Sequence, residues 1–273
     1  MPALNLRPVV AVVLSVALLL GSSVPAVAAE LPEPTPIAPP SLDFALAALA
    51  PDASPSGLAA AEVVPAKVRL PACGIDDKLT RYRSVRQWKK TLLDTNLKIR
   101  RSYDPQDLVS VRNAKIAGSG KVRRIMIADL KALASAARKA GKPLAVRSAH
   151  RSYDYQKALF NSYVRTHGWS QAVKFSARPG HSEHQLGTTI DFTTAPGVPL
   201  TTKFGDSPAG KWLARKGWKF GFIMSYPKGK THASCYSYEP WHWRYFGRDL
   251  AAKIHASGQV PRRYLYENFE TAR

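Results

Sequence analysis

Cysteine and acidic side chains are scarce in this 273-residue chain. It has 2 Cys, and 19 Asp and Glu against 40 Lys and Arg, which gives a formal net charge of +21. Such a charge favours anionic partners, whether nucleic acid, an acidic polymer or a membrane surface, and composition alone does not choose among them. The pattern His-Glu-x-x-His, common in metalloproteases, is also absent, so a metal site must be sought in other residues.

The N-terminus has the pattern of a secretory signal peptide over residues 1–28. Arg7 is the only charged side chain before an apolar run at residues 9–20, and Ala26-Val27-Ala28 supplies small residues at cleavage spacing. The run is shorter than the about 20 residues that a membrane span needs, although an uncleaved anchor is the alternative. We therefore expect export to the extracellular space, cell wall or periplasm. A wall polymer bearing phosphate or carboxylate groups then becomes the expected anionic partner, and nucleic acid does not.

Residues 29–71 are rich in proline and alanine, which opposes a packed core. We interpret them as an extended linker, with disorder lacking any spacer role as the alternative. Residues 72–273 then form one folded domain. In an exported protein the two cysteines, Cys73 and Cys235, predict a disulfide, which would stabilise the fold by several kcal/mol, roughly, in the entropic model. Two free thiols are the alternative.

The remaining pattern predicts one α+β domain, with helices packed on a small, mainly antiparallel sheet. An amphipathic helix is predicted at residues 124–140, ended by Gly141. Further helices are predicted from the Ser152 cap to Gly168 and at residues 172–176, 211–216 and 247–257. Strands are predicted at residues 144–146, 188–192, 218–225 and 236–243. Residues 73–101 are expected to be partly helical, with Trp88, Leu92 and Leu93 on one apolar face.

Two short segments carry the residue types of a zinc site. The first, ARPGHSEHQLGTTID at residues 177–191, offers His184 and Asp191. The second, EPWHWRY at residues 239–245, offers Glu239 and His242. Two imidazoles and one carboxylate form a three-ligand zinc site with one tetrahedral position open for water. This set suits zinc better than calcium or magnesium, which prefer more oxygen ligands. We expect one Zn²⁺ per chain, held by His184, Asp191 and His242.

A second carboxylate near that water is what a hydrolytic zinc site needs as a base, and Glu239 is the candidate. The alternative for Glu239 is an ordinary surface glutamate. Glu183, next to His184, is expected to point away from the metal or to support the ligands from behind.

These motifs resemble the signature of the zinc D,D-peptidases, and most of all the VanY-type D-alanyl-D-alanine carboxypeptidases. The matching residues are Ser182, His184, Gly187, Thr189 and Asp191, followed by Glu239, Pro240, Trp241 and His242. The surrounding words agree: Ser148-Ala149-His150-Arg151-Ser152-Tyr153 with Gln156, and Trp241-His242-Trp243-Arg244-Tyr245. The resemblance covers residues 103–257. Thr189 stands where the family usually has alanine, and His150 replaces a tyrosine.

The resemblance implies a fold, a reaction and further site residues. The fold would place zinc in a surface cleft, and the reaction would be removal of the terminal D-alanine from peptidoglycan stem peptides. Arg151 would bind the scissile carbonyl oxygen and the developing oxyanion, with a salt bridge or wall-polymer contact as its alternative. Ser182 and Gln156 would position substrate, or would only support neighbouring residues.

Three other functions stay open at this point. A peptidoglycan endopeptidase would use the same chemistry on an internal bond. A wall-binding module would keep the fold without cleaving. A nucleic-acid binder is suggested by charge alone and is opposed by the signal peptide. We expect the protein to act as a monomer.

Overall fold

A computed structural model describes residues 69–271, so the predicted signal peptide and nearly all of the predicted linker lie outside the described residues. The strands are β1 (Lys78–Leu79), β2 (Leu97–Lys98), β3 (Leu108–Ser110), β4 (Ala117–Gly118), β5 (Lys121–Arg123), β6 (Ala145–Ser148), β7 (Thr189–Thr193), β8 (Phe222–Met224) and β9 (His242–Tyr245). The α-helices are α1 (Ile127–Lys139), α2 (Tyr153–His167), α3 (Trp169–Phe175), α4 (Lys203–Asp206), α5 (Pro208–Lys216), α6 (Thr231–Ser234), α7 (Arg248–Ser257) and α8 (Pro261–Leu265). Across residues 69–271, no helix is both long enough and apolar enough for a membrane span.

Five strands form the central sheet in the order β4–β6–β7–β9–β8. β4 pairs parallel with β6, and the other neighbours are antiparallel. The predicted α+β architecture, with helices on a small and mainly antiparallel sheet, is therefore confirmed. In the register of the two central strands, Asp191 of β7 lies opposite His242 of β9. Opposed residues of an antiparallel pair carry Cβ atoms about 5 Å apart, so the sheet itself brings these two side chains together.

The helix predicted at residues 124–140 forms as a 3-10 turn, Arg124–Met126, followed by α1. Gly141 follows its end at φ +67°, a left-handed conformation that glycine adopts without strain. The buried positions of α1 pack in one apolar cluster with the sheet and with α5, and each large side chain buried there contributes about 1.5–3 kcal/mol. The buried residues of α1 are Leu130, Leu133, Ala134 and Ala137.

Alternation along β7 and β9 separates an apolar face of the sheet from a polar face. Ile190, Phe192, Trp243 and Tyr245 all enter the apolar cluster beneath α1. Successive strand residues point to opposite faces, so the intervening residues share the other face. These residues are Thr189, Asp191, Thr193, His242 and Arg244, and all of them are buried. The polar face is therefore covered too, and its polar groups need partners within the protein.

The strand predicted at residues 218–225 is shorter than expected. The segment begins as a 3-10 turn, Gly217–Phe220, and only Phe222–Met224 is strand. Gly217, which follows the last residue of α5, has right-handed helical φ, and the turn that it begins ends at Gly221 with φ +87°. A Cβ at Gly217 would lie 2.8 Å from the ring of Trp243. Close packing, and not turn geometry, therefore requires glycine at that position.

The prediction that Glu239 lies on a strand is wrong, because β9 begins only at His242. Cys235 ends α6 with φ +68°, and Pro240 has no N–H to donate to a sheet. The residues between α6 and β9 therefore form a turn. The backbone N–H of Glu239 donates to the carbonyl of Tyr226 over 3.1 Å, which anchors this turn.

Residues 73–101 are mostly irregular, which corrects the prediction of partial helix. In this segment the only helical turn is the 3-10 turn Val85–Gln87. Trp88, Leu92 and Leu93 are buried as expected, but each enters a different apolar cluster. A short isolated helix is marginal in water, so packing into three separate clusters outweighs the local helical preference.

The C-terminal helix α8 is bonded to the N-terminal edge of the domain through Arg262. Arg262 on α8 is buried and forms an ion pair with the buried Asp94 at 2.5 Å. The same guanidinium donates to the carbonyls of Pro71 and Ala233. One buried cation thus joins three segments that are far apart in sequence.

A disulfide makes a second connection at this edge. Cys73 is bonded to Cys235, at a sequence separation of 162 residues. Cys235 precedes the turn that carries Glu239, so the bridge ties the first residues of the domain to the segment leading into the polar face of the sheet.

Candidate metal centre

Three buried side chains converge on the polar face of the sheet. Asp191 and His242 lie opposite each other on β7 and β9, and His184 comes from the 3-10 turn Glu183–Leu186 that leads into β7. One ligand atom from each of the three lies within 4.8 Å of the others. The structure therefore brings together all three residues that the sequence predicted as zinc ligands.

A backbone carbonyl orients His184. The Nδ1 atom lies 2.6 Å from the carbonyl oxygen of Ala149, so Nδ1 carries the proton and donates it. Burial lowers the pKa of His184 to about 4, which keeps the ring neutral at physiological pH. The Nε2 lone pair then faces the centre of the cluster, as a metal ligand requires.

A carboxylate orients His242. The Nε2 atom lies 3.0 Å from Oε2 of Glu183, and Nδ1 lies 3.4 Å from Oδ1 of Asp191. Burial disfavours the charged ring, but the nearby carboxylates of Asp191 and Glu183 outweigh it and raise the pKa of His242 to about 9. A metal ion bound at Nδ1 must therefore displace a proton at neutral pH.

Glu183 is the centre of a polar network that sequence reasoning mostly missed. It accepts hydrogen bonds from Ser225 Oγ at 2.6 Å and from Arg244 Nη1 at 3.0 Å, besides its contact with His242. Burial opposes ionisation of Glu183, but the charge of Arg244 prevails and lowers its pKa to about 2. Glu183 was expected to point away or to support the ligands, and it does the latter. Arg244 was identifiable in principle, because it lies two residues after His242 on a strand and shares its face.

The donor set fits a zinc ion. Nε2 of His184 and Oδ1 of Asp191 are buried without a hydrogen-bond partner among the described residues. Buried polar atoms are normally paired, and a cation shared by both would satisfy them. Two imidazoles and one carboxylate at this spacing match the nitrogen and oxygen ligands of a three-ligand zinc site.

Arg151 lies beside this centre, in the short connection between β6 and α2. Its Nη2 atom donates to Oδ2 of Asp191 at 3.0 Å, and its Nη1 atom donates to Oε1 of Gln156 at 3.2 Å. Gln156 is buried on α2, and its amide nitrogen donates to the carbonyl of Ala177. Gln156 therefore holds Arg151 in position, and its predicted contact with substrate stays a prediction.

Glu239 faces the same cluster from the turn before β9. Its Oε2 atom lies 3.6 Å from Nδ1 of His242. Burial raises the pKa of Glu239 to about 7, which poises the carboxyl group between its acid and base forms near neutral pH.

Ser182 caps the turn that carries His184, with its Oγ accepting from the His184 N–H at 3.4 Å, and it is buried.

A pocket of about 720 Å³ lies at the start of α2. Residues 100–104 form one wall, and His150, Ser152, Tyr153 and Asp154 form the other. This lining includes neither Arg151 nor any of the proposed zinc ligands, and the pocket has room for part of a peptide.

Comparison with known proteins gives one consistent family. Residues 119–248 match the VanY family, described as D-alanyl-D-alanine carboxypeptidase. YodJ of Bacillus subtilis is 40% identical over 159 residues, which are 56% of this chain and 58% of YodJ. A D-alanyl-D-alanine carboxypeptidase of Enterococcus faecalis is 34% identical over 145 residues, 50% of this chain and 52% of that protein. The chain thus spans little more than half the length of these two relatives.

Two solved structures share the fold over nearly their whole length. A zinc complex of a mutant of the vancomycin-resistance D,D-pentapeptidase VanY is 30% identical with a TM-score of 0.55, covering 65% of this chain and 99% of that one. The LD-carboxypeptidase LdcB is 29% identical with a TM-score of 0.62, covering 71% of this chain and 98% of that one.

Proposed function

Since the chain belongs to the VanY family of D-alanyl-D-alanine carboxypeptidases, we propose that it removes the terminal D-alanine from peptidoglycan stem peptides in a zinc-dependent hydrolysis. The observation that carries the proposal is the buried cluster of His184, Asp191 and His242 with Glu239 beside it. The cluster supplies metal ligands, and Glu239 supplies a titratable carboxyl group next to them.

Zinc is the proposed cofactor, one ion per chain, held by Nε2 of His184, a carboxylate oxygen of Asp191 and Nδ1 of His242. Bound there, it supplies a Lewis acid that polarises the scissile carbonyl and makes water more acidic. Glu183 and the Ala149 carbonyl hold the two imidazoles in the orientation that this requires.

Glu239 is the proposed general base and acid. Its carboxylate takes a proton from the attacking water, whose oxygen forms a bond to the carbonyl carbon of the penultimate residue. The same group then gives that proton to the nitrogen of the departing D-alanine as the C–N bond breaks. A pKa of about 7 in the metal-free protein suits a group that must both accept and return a proton.

Arg151 is the proposed electrophilic partner. Its guanidinium lies 3.0 Å from Asp191 and is held from behind by Gln156, so it can donate to the carbonyl oxygen as negative charge develops there. A preorganised donor of this kind contributes about 2.7–4 kcal/mol to transition-state stabilisation. Ser182 and Gln156 remain proposed contacts for the substrate's backbone or terminal carboxylate.

Digestion of purified muropeptides tests the reaction and the bond together. We expect free D-alanine and a tetrapeptide from a pentapeptide substrate, identified by mass spectrometry, and about 10²–10⁴-fold slower release by Glu239→Gln. Release of an internal fragment from cross-linked dimers would instead support the endopeptidase alternative. No cleavage of any muropeptide by zinc-loaded protein would leave only the wall-binding alternative.

A second candidate is an L,D-carboxypeptidase, which takes D-alanine from a tetrapeptide. The likeness to LdcB over 98% of that chain favours it. Parallel digests of pentapeptide and tetrapeptide stems separate the two activities, because a D,D-enzyme stops at the tetrapeptide and an L,D-enzyme begins there.

We also propose the exported layout indicated by the sequence: a signal peptide at residues 1–28, a linker at residues 29–71 and a catalytic domain at residues 72–273. N-terminal sequencing of the protein recovered from culture medium, wall and membrane fractions tests it. A mature N-terminus at residue 29 outside the membrane fraction is expected, and an intact N-terminus in the membrane fraction would indicate an anchor. Contact with an anionic wall polymer and a monomeric state remain part of this proposal.

A further inference from the structure

Helices α2 and α3 form an arm, residues 153–175, that stands apart from the core. The two helices pack mainly against each other, and their buried Phe160 and Ala172 belong to none of the three apolar clusters. Both ends of the arm return to the metal centre. Arg151 directly precedes the N-cap of α2, and Gln156 near the start of α2 bonds to Ala177, just after α3.

The arm carries every exposed Phe, Trp or Tyr side chain of residues 69–271. Trp169 is 51% exposed, Tyr155 47% and Phe175 38%. Trp169 packs at 86° to the ring of Phe160, and Phe175 packs at 80° to the ring of Tyr163. Solvent-exposed aromatic side chains gathered on one projection mark an interaction surface more strongly than scattered ones do.

The charges around these rings restrict the partner. Between Tyr155 and Phe175 the chain has no Asp or Glu, and Lys157, Arg165 and Lys174 are exposed. Lysine is depleted in protein interfaces, so the two lysines among these three charges favour a partner other than a second protein. The face of an aromatic ring is electronegative, so it attracts the C–H-bearing face of a sugar ring and not a phosphate. Hydroxyl groups on the sugar would accept hydrogen bonds from the lysines and the arginine.

The position of the rings agrees with the length of a stem peptide. Helix α2 begins just after Arg151, which contacts Asp191 in the metal centre. Trp169 and Phe175 contact Phe160 and Tyr163, which lie about 10–15 Å from that end of the helix. Four extended residues span at most about 14 Å. A stem peptide that has its carboxyl end at the metal centre and runs along α2 would therefore bring its amino end, where the glycan is attached, to the level of these rings.

We infer that Trp169 and Phe175 on this arm form a docking surface for the glycan strand of peptidoglycan. The inference rests on the proposed function, because the glycan is placed by a stem peptide that the metal centre cleaves. The arm then selects substrate still joined to its polymer over free peptide.

Two measurements on the full chain test the inference. The first is cosedimentation with insoluble glycan strands from which the peptides have been removed, and it does not depend on catalysis. The double variant Trp169→Leu/Phe175→Leu should bind about tenfold more weakly than the original protein. The second is kcat/KM on a free pentapeptide and on the same peptide joined to its glycan. The double variant should lose about tenfold on the glycan-linked substrate alone.

Matched variants separate docking from folding. Trp169→Tyr/Phe175→Tyr keeps flat rings and should retain binding, whereas Ile125→Ser alters an exposed apolar residue off the arm and should change nothing. Any one of three results would overturn the inference. These are equal losses of kcat/KM on both substrates, normal glycan binding by the leucine variant, and a binding defect confined to a phosphate polymer. If the protein cleaves neither the free peptide nor the glycan-linked peptide while glycan binding depends on the two rings, the proposed reaction fails and the docking surface stands.

Discussion

Replacing Glu183 with glutamine removes a negative charge from behind the metal centre and keeps the side-chain shape. Glu183 accepts hydrogen bonds from Ser225, His242 and Arg244. Glutamine has one oxygen and one NH₂ group in place of two oxygens, so at least one of these donors would face another donor. If Arg244 loses its partner, its guanidinium stays buried without a counter-charge, because the residue has no solvent exposure.

The loss of stability expected for Glu183→Gln follows from the burial of Arg244. Removing one partner of a buried ion pair costs about 3–5 kcal/mol. Arg244 keeps its bonds to the carbonyls of Trp88 and Thr91, so we expect a loss of about 3 kcal/mol, the lower end of that range. The free energy of unfolding of a typical domain is about 5–15 kcal/mol, so the variant should still fold. Urea unfolding of the chelated protein measures the loss without a contribution from bound metal.

Glu267→Gln is the matched control, because Glu267 pairs with Arg263 at 3.1 Å in a partly exposed i,i+4 contact. The Glu267→Gln variant should lose less than about 1 kcal/mol in the free energy of unfolding. Glu183→Gln should also weaken zinc binding by about 10–100-fold, since His242 loses the carboxylate that fixes its ring. Equal unfolding free energies for the two variants, together with unchanged zinc affinity for Glu183→Gln, would refute the role given to Glu183.

Four further predictions concern the metal, the reaction and the disulfide. His184→Ala should lower the zinc content from about one ion per chain to none, and metal analysis of the purified protein measures this; an unchanged content would remove His184 from the ligand set. Glu239→Gln should keep its zinc and lower kcat by about 10²–10⁴-fold, so full activity would place the base elsewhere. Arg151→Met should lower kcat by about 10²–10³-fold with zinc retained, and an effect on KM alone would contradict an oxyanion role. Replacing Cys73 and Cys235 together with serine should lower the free energy of unfolding by about 2–5 kcal/mol, and an unchanged urea midpoint would contradict this.

The site was predictable where chemistry and motif spacing coincide. His184, Asp191 and His242 were identified because few residue types bind zinc and because their neighbours match a known signature. Arg244 and Ser225 were missed, since an arginine or a serine near a motif has many possible roles. Their role depends on Glu183 turning toward them, which only the packing of the 3-10 turn against β9 determines.

The secondary structure likewise has elements that local sequence signals predict and segments that only tertiary packing decides. Helices α1 and α2 have local signals: apolar periodicity in the first, and a Ser152 cap with a terminal Gly168 in the second. The segment at residues 73–101 has a similar apolar spacing but no helix, because Trp88, Leu92 and Leu93 each gain more by entering separate clusters. Local preferences of this size are small compared with burial of large apolar side chains.

The sequence by itself determined which residues could bind a metal, the class of fold, and most of the helices, because side-chain chemistry and periodicity are local properties. Only the tertiary structure decided that Asp191 and His242 face each other across two strands, that Gln156 holds Arg151, and that Glu239 lies in a turn beside the ligands. These facts depend on strand register and on contacts between segments that are tens of residues apart. Such contacts are selected by the packing of the whole domain, which no short stretch of the chain specifies.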